Sequence, residues 1–313
     1  MQSFSRGWSF LLQAWQMAFK DLDLLKPSVY ALVTGTIVSF LGSLPIIAAF
    51  LLLGNSEFGN IVLFVLGAIL VFVQFIISYI FSAMTVYLIF GYLAEGDGRL
   101  DKAWGIVRRD FLDLMTLAGV STAINLLRSV ANRNRASRRG VGAGLASAAA
   151  GLLQVLWTEA SYLVLPAMVI DDLNLKDGLN RVWKITSENL LLIGISTVGV
   201  RWVTGLIGFL FAIVGILIGA GIFYGATAVL GFETLGLVLG IGLAVFVASI
   251  FFMTSAVVNS YTSTAYHTCL YIWARDVETV KAEGKSLQVP APAPLAAVLG
   301  SSPLITTSQL RSN

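Results

Sequence analysis

Cysteine and histidine are almost missing from this chain: Cys269 and His267 are the single representatives of their types in 313 residues. One cysteine excludes an intrachain disulfide. One cysteine with one histidine also leaves too few soft ligands for a structural zinc site, and no cofactor or metal is expected. The two stand two residues apart, so on a helix they diverge by roughly 200° and cannot form a nucleophile–base pair. Charge is scarce as well. Only 12% of residues are charged, where a soluble domain carries about 25%. No Gly-x-Ser-x-Gly elbow or His-Glu-x-x-His pattern occurs, and the glycines near Gly140 and Gly144 lack the Gly-Lys-Ser/Thr ending of a phosphate loop. Enzyme chemistry is therefore not expected. Paired acids occur at Asp171-Asp172, but beside a turn, where capping of the next helix is the simpler role.

What the chain has in abundance is apolar surface. Hydrophobic residues make up 57% of it and the mean hydropathy is +0.84, so lipid is its natural solvent. A helix needs about 20 apolar residues to cross a bilayer. Six runs qualify, at 29–53, 60–93, 111–128, 141–170, 189–219 and 235–272, the third being the shortest. The segment from Met1 to Lys26 is broken by Gln13, Lys20, Asp21 and Asp23, so no cleavable signal is expected and the first span should serve as the insertion signal.

Amphipathic stretches between these runs share a pattern. Ala14-Trp15 is followed, after four residues, by Lys20-Asp21-Leu22. Ala103-Trp104 precedes Arg109-Asp110-Phe111 in the same way, and Val182-Trp183 precedes Glu188-Asn189-Leu190. The second and third copies agree further at an offset of 75 (Asp97 with Asp172, Leu100 with Leu175, Gly119–Thr122 with Gly194–Thr197), whereas their tryptophans are 79 apart. A four-residue insertion, about one helical turn, accounts for the change of register. The expected fold is all-α: a polytopic membrane protein of about six transmembrane helices, arranged as three units of one interfacial helix followed by a hairpin. Tryptophan at the apolar–polar boundary suits the headgroup level.

With both termini on one side, 14 Lys and Arg residues fall there and five on the other, all within Arg128–Arg139. The positive-inside rule then places both termini in the cytoplasm. Residues 1–283 form the membrane domain. The tail 284–313, rich in Pro, Ala and Ser, is expected to be disordered.

Two charges lie inside spans. Glu159 precedes Asp171 by 12 residues and Arg201 follows Asn189 by 12, which puts both roughly 18 Å from the same boundary. A lone charge there costs at least ~2.5–3.5 kcal/mol, so an intramembrane Glu159–Arg201 ion pair is expected, as a structural clamp or as part of a substrate or proton pathway. The loop bearing Arg128, Arg133, Arg135, Arg138 and Arg139 is a candidate contact for an anionic lipid or a partner protein, or else a solvated hairpin tip. Small residues four apart (Gly140/Gly144, Ser147/Gly151, Gly215/Gly219, Gly221/Gly225, Gly236/Gly240) permit close helix packing within the bundle or a homo-oligomer seam. The bases are dispersed, which argues against nucleic acid as a partner.

Arg6-Gly7-Trp8, Trp15, Asp21 and Leu24-Leu25 resemble the opening of an uncharacterised bacterial membrane family, a domain of unknown function. Tyr162–Asp171 with Gly178–Trp183 resembles its central signature, and Tyr266–Ala274 its tyrosine-rich closing segment. The Pro–acid–amphipathic-helix layout is distantly similar to the membrane domain attached to some glycerophosphodiester phosphodiesterases. The resemblance implies six helices in a bacterial inner membrane and no particular activity. Together these readings favour a non-catalytic scaffold, accessory subunit or assembly factor in contact with membrane lipids and other membrane proteins. A transporter or channel for a small solute or lipid is the alternative.

Overall fold

The computed structural model describes residues 2–54, 56–137, 141–188, 190–230, 234–283 and 289–299, with side chains excepted at 2–4, 133–137, 141–145, 186–188, 190–202, 230, 234–235 and 297–299. Among the described residues every regular element is helical. They are α1 (Gln2–Lys20), α2 (Lys26–Leu53), α3 (Glu57–Glu95), α4 (Leu100–Arg109), α5 (Phe111–Ser137), α6 (Val141–Asp171), α7 (Leu175–Glu188), α8 (Leu190–Leu230), α9 (Thr234–Ala282) and α10 (Ala293–Leu299), with a 3-10 turn at Leu22–Leu24. Six of them, α2, α3, α5, α6, α8 and α9, are long and apolar enough to cross a membrane. The protein is a polytopic membrane protein whose chain runs three times through a short amphipathic helix and then a hairpin.

The short helices owe their shape to spacing. In α4, Ala103 and Val107 recur one turn apart and are buried, while Lys102 and Arg108 face outward. In α1, Phe10, Leu11, Ala14, Met17 and Ala18 form a buried stripe at helical intervals. Local chemistry sets the ends of the spans. Ser56 Oγ accepts the Gly59 N–H at 3.0 Å to start α3, and Gly96, at φ 79°, closes it with its N–H on the Tyr92 carbonyl. Large apolar side chains such as Phe40, Leu52, Ile61, Phe209, Leu217 and Phe246 point outward, as lipid-facing surface requires.

The helices divide into two compact bodies, 21–189 and 1–20 with 190–313. In the first, α2 and α3 pair, α3 packs on α5 and α6, and α4 and α7 lie against α3 and α6 respectively. Gly178 makes the last contact close: a methyl group there would meet Val164 Cγ1 at 3.4 Å and Met168 Cγ at 3.5 Å. In the second body, α8 pairs with α9, and α1 packs on both and on α10. Each amphipathic helix of the first body thus docks on the hairpin that precedes it in the chain. α1 instead docks on the α8–α9 hairpin.

The helix α9 changes role along its length. Residues such as Val238, Ile241, Val245 and Phe246 are exposed, whereas Tyr261, Tyr266, Leu270, Tyr271 and Trp273 are buried. Phe10 of α1 meets Tyr266 edge-on at 5.5 Å, Tyr261 Oη donates to the Ala14 carbonyl at 3.0 Å, and Trp15 Nε1 donates to Thr262 Oγ1 at 3.2 Å. The tyrosine-rich end therefore holds α1, and the Tyr261 hydroxyl is satisfied by that helix.

Two expectations need correction. Residues 289–299 of the tail are ordered: α10 packs on α1, Leu295 and Val289 are buried, and Trp273 Nε1 reaches the Val289 carbonyl at 3.4 Å. Leu295 and Val289 supply the apolar contacts that the surrounding prolines disguise; residues 284–288 and 300–313 lie outside the described ones. Nor is the arginine segment a loop from Arg128 onward, because α5 continues to Ser137 and α6 begins at Val141. No proline or glycine at 128–137 breaks the helix, and Arg128 and Asn132 find partners on α6 in Gln154 and Ser147.

Candidate functional site

The repeated pattern of tryptophan, four residues, a charged residue and then Asp or Asn lands on a common structural position in its first two copies. Asp21 and Asp110 each occupy the turn between an amphipathic helix and the first span that follows it, and Asn189, the corresponding residue of the third copy, lies outside the described residues. Asp21 Oδ1 accepts the Asp23 N–H at 3.0 Å and Oδ2 accepts the Gly98 N–H at 2.7 Å. One carboxylate thus starts the turn and ties it to the loop after α3. Gly98 is required for this approach, since a Cβ there would lie 2.9 Å from Asp21 Oδ2.

The second junction repeats the tie with different atoms. Asp110 is buried, and Arg109 grips it twice, Nε to Oδ1 at 2.6 Å and Nη2 to Oδ2 at 3.0 Å. The same guanidinium reaches Asp172 Oδ1 at 3.1 Å, in the loop after α6. The hydrogen bond to Asp110 raises the Arg109 pKa above the ordinary guanidinium value, with the charges of Asp110 and Asp172 adding to it. Fork geometry suits this two-oxygen grip, which a lysine could not reproduce. Asp172 itself sits at φ 54°, a left-handed position that aspartate tolerates better than most residues. The expected helix cap is displaced: Asn174, not Asp171 or Asp172, starts α7, its Oδ1 accepting the Asp177 N–H at 3.0 Å while its Nδ2 donates to Asp177 Oδ2 at 2.7 Å.

Between α5 and α6 runs a polar seam. Ser147 Oγ donates to Asn132 Oδ1 at 2.8 Å, Arg128 Nη1 donates to Gln154 Oε1, and Trp157 Nε1 donates to Ser121 Oγ at 2.8 Å. Ser121 also donates to the Leu117 carbonyl at 2.8 Å and pairs with Tyr79 Oη of α3 at 2.7 Å, so its hydroxyl is fully used. Arg128, expected to seek a lipid or partner, is spent at least in part on α6. The side chains of Arg133 and Arg135 and all of Arg138 and Arg139 lie outside the described residues.

Glu159 is half-buried on α6, where it has an interaction of its own. The side chain of Arg201 is outside the described residues, so the expected pair concerns a residue of the first body and one not described. His267 and Cys269 are both buried on α9, and His267 Nδ1 donates to the Ser263 carbonyl at 2.7 Å within the same helix. Among the described residues no group of three or more His, Cys, Asp or Glu side chains could hold a metal ion.

A crevice of about 610 Å³ opens in the first body where α4 meets α2 and α3. Val29, Val33, Phe81 and Met84 give it apolar walls, and Asp101 and Trp104 of α4 stand at its edge. Arg108 places its guanidinium carbon 5.8 Å from the centre of the Trp104 ring. Sequence reasoning missed this site because its parts come from three separate helices. The junction ties were within reach: the shared Lys/Arg-Asp ending was visible, but not the loop backbone each acid would bind. Compared with models of known protein families and with curated proteins, the chain matches none, so no residue role is carried over to these sites.

Proposed function

We propose that this chain is a non-catalytic protein of the bacterial inner membrane, a scaffold, accessory subunit or assembly factor that presents its amphipathic helices to other membrane proteins. The observation that supports it is the pair of junction ties, Asp21 to Gly98 and Arg109–Asp110 to Asp172, which anchor the turns on both sides of α4 and the loop before α7. α4, tied at both ends, and α7, tied at its start, expose Trp104 and Trp183 and suit a fixed docking surface, since tryptophans that become buried in a contact supply much of its affinity. With both termini in the cytoplasm, an even number of crossings returns each amphipathic helix to the side that holds 14 of the bases. Headgroup-level tryptophans and cytoplasmic bases make membrane lipids a second partner of the same surface.

Gentle purification from native membranes with mass spectrometry of whatever accompanies the protein tests this reading. A stoichiometric protein partner lost on Trp183→Ala supports it; a monodisperse protein without partners counts against it. The second reading, passage of a small solute or lipid, draws on Glu159, a half-buried carboxylate within a span. Flux through proteoliposomes that Glu159→Gln abolishes, with the melting temperature unchanged, would favour that reading instead.

A further inference from the structure

We propose that the crevice between α2, α3 and α4 seats one aminophospholipid, with an acyl chain along its apolar walls, its phosphate on Arg108 and its ammonium on Asp101. The walls decide the first part. Val29 and Val33 are one turn apart at the start of α2, and Phe81 and Met84 stand near the end of α3, so the groove runs from the amphipathic helix toward the apolar centre of the hairpin. Tyr30 also lines it, its ring 6.2 Å from that of Phe81. An acyl chain is the apolar occupant a bilayer offers at that place.

The edge decides the headgroup. Asp101, Trp104 and Arg108 follow one another at intervals of three and four, so they share one face of α4. Arg108 holds its guanidinium carbon 5.8 Å from the centre of the Trp104 ring, and Trp104 lines the crevice together with Asp101 one turn before it. Asp101 is engaged by Arg99 only at 3.6 Å and is 72% exposed, which leaves most of its hydrogen-bonding capacity for a ligand. An acid and a base on one face of a helix beside an apolar groove complement a zwitterion. A purely anionic headgroup would satisfy Arg108 but face the Asp101 carboxylate. A quaternary ammonium has no N–H to donate to that carboxylate, and a primary ammonium has three.

This assignment stands whether or not the protein acts as a scaffold. Its test is native mass spectrometry of the full chain in mild detergent, offered equal amounts of phosphatidylethanolamine, phosphatidylcholine and phosphatidylglycerol with matched chains. Phosphatidylethanolamine is expected to be retained about tenfold over the other two, the ratio that one charge-assisted hydrogen bond supplies. Asp101→Asn should erase the preference over phosphatidylglycerol, and Arg108→Gln should lower retention of all three. Both positions are exposed, and unchanged melting temperatures without added lipid verify that the variants fold. Equal retention of the three lipids by the native protein, a preference for phosphatidylcholine or phosphatidylglycerol, or a preference that survives Asp101→Asn overturns the assignment.

Discussion

The hairpin α5–α6 is joined by hydrogen bonds, whereas the hairpin α8–α9 is joined by the close approach of backbones. In the first, Asn132 with Ser147, Arg128 with Gln154, and Ser121 with Trp157 link the two helices. In the second, a methyl group on Gly215 would meet Phe251 Cβ at 2.8 Å, and one on Gly219 would meet the Ala244 carbonyl oxygen at 3.0 Å. Mean hydropathy follows the same division: 1.3 and 1.4 for the spans of α5 and α6, against 2.7 and 2.5 for those of α8 and α9. Polar residues placed inside a hairpin lower its hydropathy without exposing charge to lipid. Glycine achieves contact at no cost in hydropathy, because shape alone brings the helices together. The α2–α3 hairpin combines the two. Gln74 Nε2 donates to the Gly35 carbonyl at 2.9 Å and to Ser39 Oγ at 2.8 Å, and Gly42 lies where a Cβ would fall 2.5 Å from Leu70 Cδ1.

Mutations should separate the two modes. The largest effect is expected from Gly215→Leu, which forces α8 and α9 apart; overpacking of this kind costs about 1–3 kcal/mol, read as a lower melting temperature in detergent. Asp110→Ala comes next. It removes the partner that Arg109 grips twice, and the loss should be about 1.5–3 kcal/mol, the range for hydrogen bonds to charged groups, with the lower end favoured because Arg109 is partly solvated. Ser121→Ala should cost less, roughly 1 kcal/mol, since interhelical hydrogen bonds in membranes average about 0.6 kcal/mol and both Trp157 and Tyr79 lose a partner. The smallest change belongs to Gly225→Leu, where nothing lies within 4 Å of a Cβ, and stability should move by less than about 0.5 kcal/mol. If Gly225→Leu proved as damaging as Gly215→Leu, the small residues would be acting through a contact outside the chain, such as a second copy.

Much of the fold was legible. Six apolar runs became six long helices, and the tryptophan pattern marked the amphipathic helix of each unit. Even the change of offset has a place: α4 and α7 begin 75 residues apart, but Trp104 and Trp183, like the starts of α5 and α8, are 79 apart. The inserted turn therefore lies at the beginning of α7, which has 14 residues where α4 has 10. The likeness of Gly119–Thr122 to Gly194–Thr197 keeps the older offset and so falls one turn out of step with the helices that carry it.

What the sequence hid was the choice of partner. Order along the chain suggests that each amphipathic helix belongs with the hairpin after it, yet α4 and α7 dock on the hairpin before them and α1 docks on α8 and α9. Buried stripes such as Phe10–Ala14–Met17 state that a face will be covered without stating by what. The junction acids were visible for the same reason and silent for the same reason: Asp21 binds the backbone of Gly98, and a backbone N–H leaves no mark in composition. The crevice beside Trp104 needed three helices to be placed before it existed.

The proposed topology, three units of two crossings each, returns α4 and α7 to the same side of the membrane and puts the end of α5 on the other. Labelling of single cysteines by a membrane-impermeant maleimide tests this directly, with Cys269→Ala as the background and Lys102→Cys, Lys184→Cys and Ser137→Cys as reporters. With both termini in the cytoplasm, as proposed, Ser137→Cys is expected to react in intact cells, and Lys102→Cys and Lys184→Cys only once the membrane is opened. Labelling of Lys102→Cys and Lys184→Cys from opposite sides, or of Ser137→Cys from the same side as either, would contradict it.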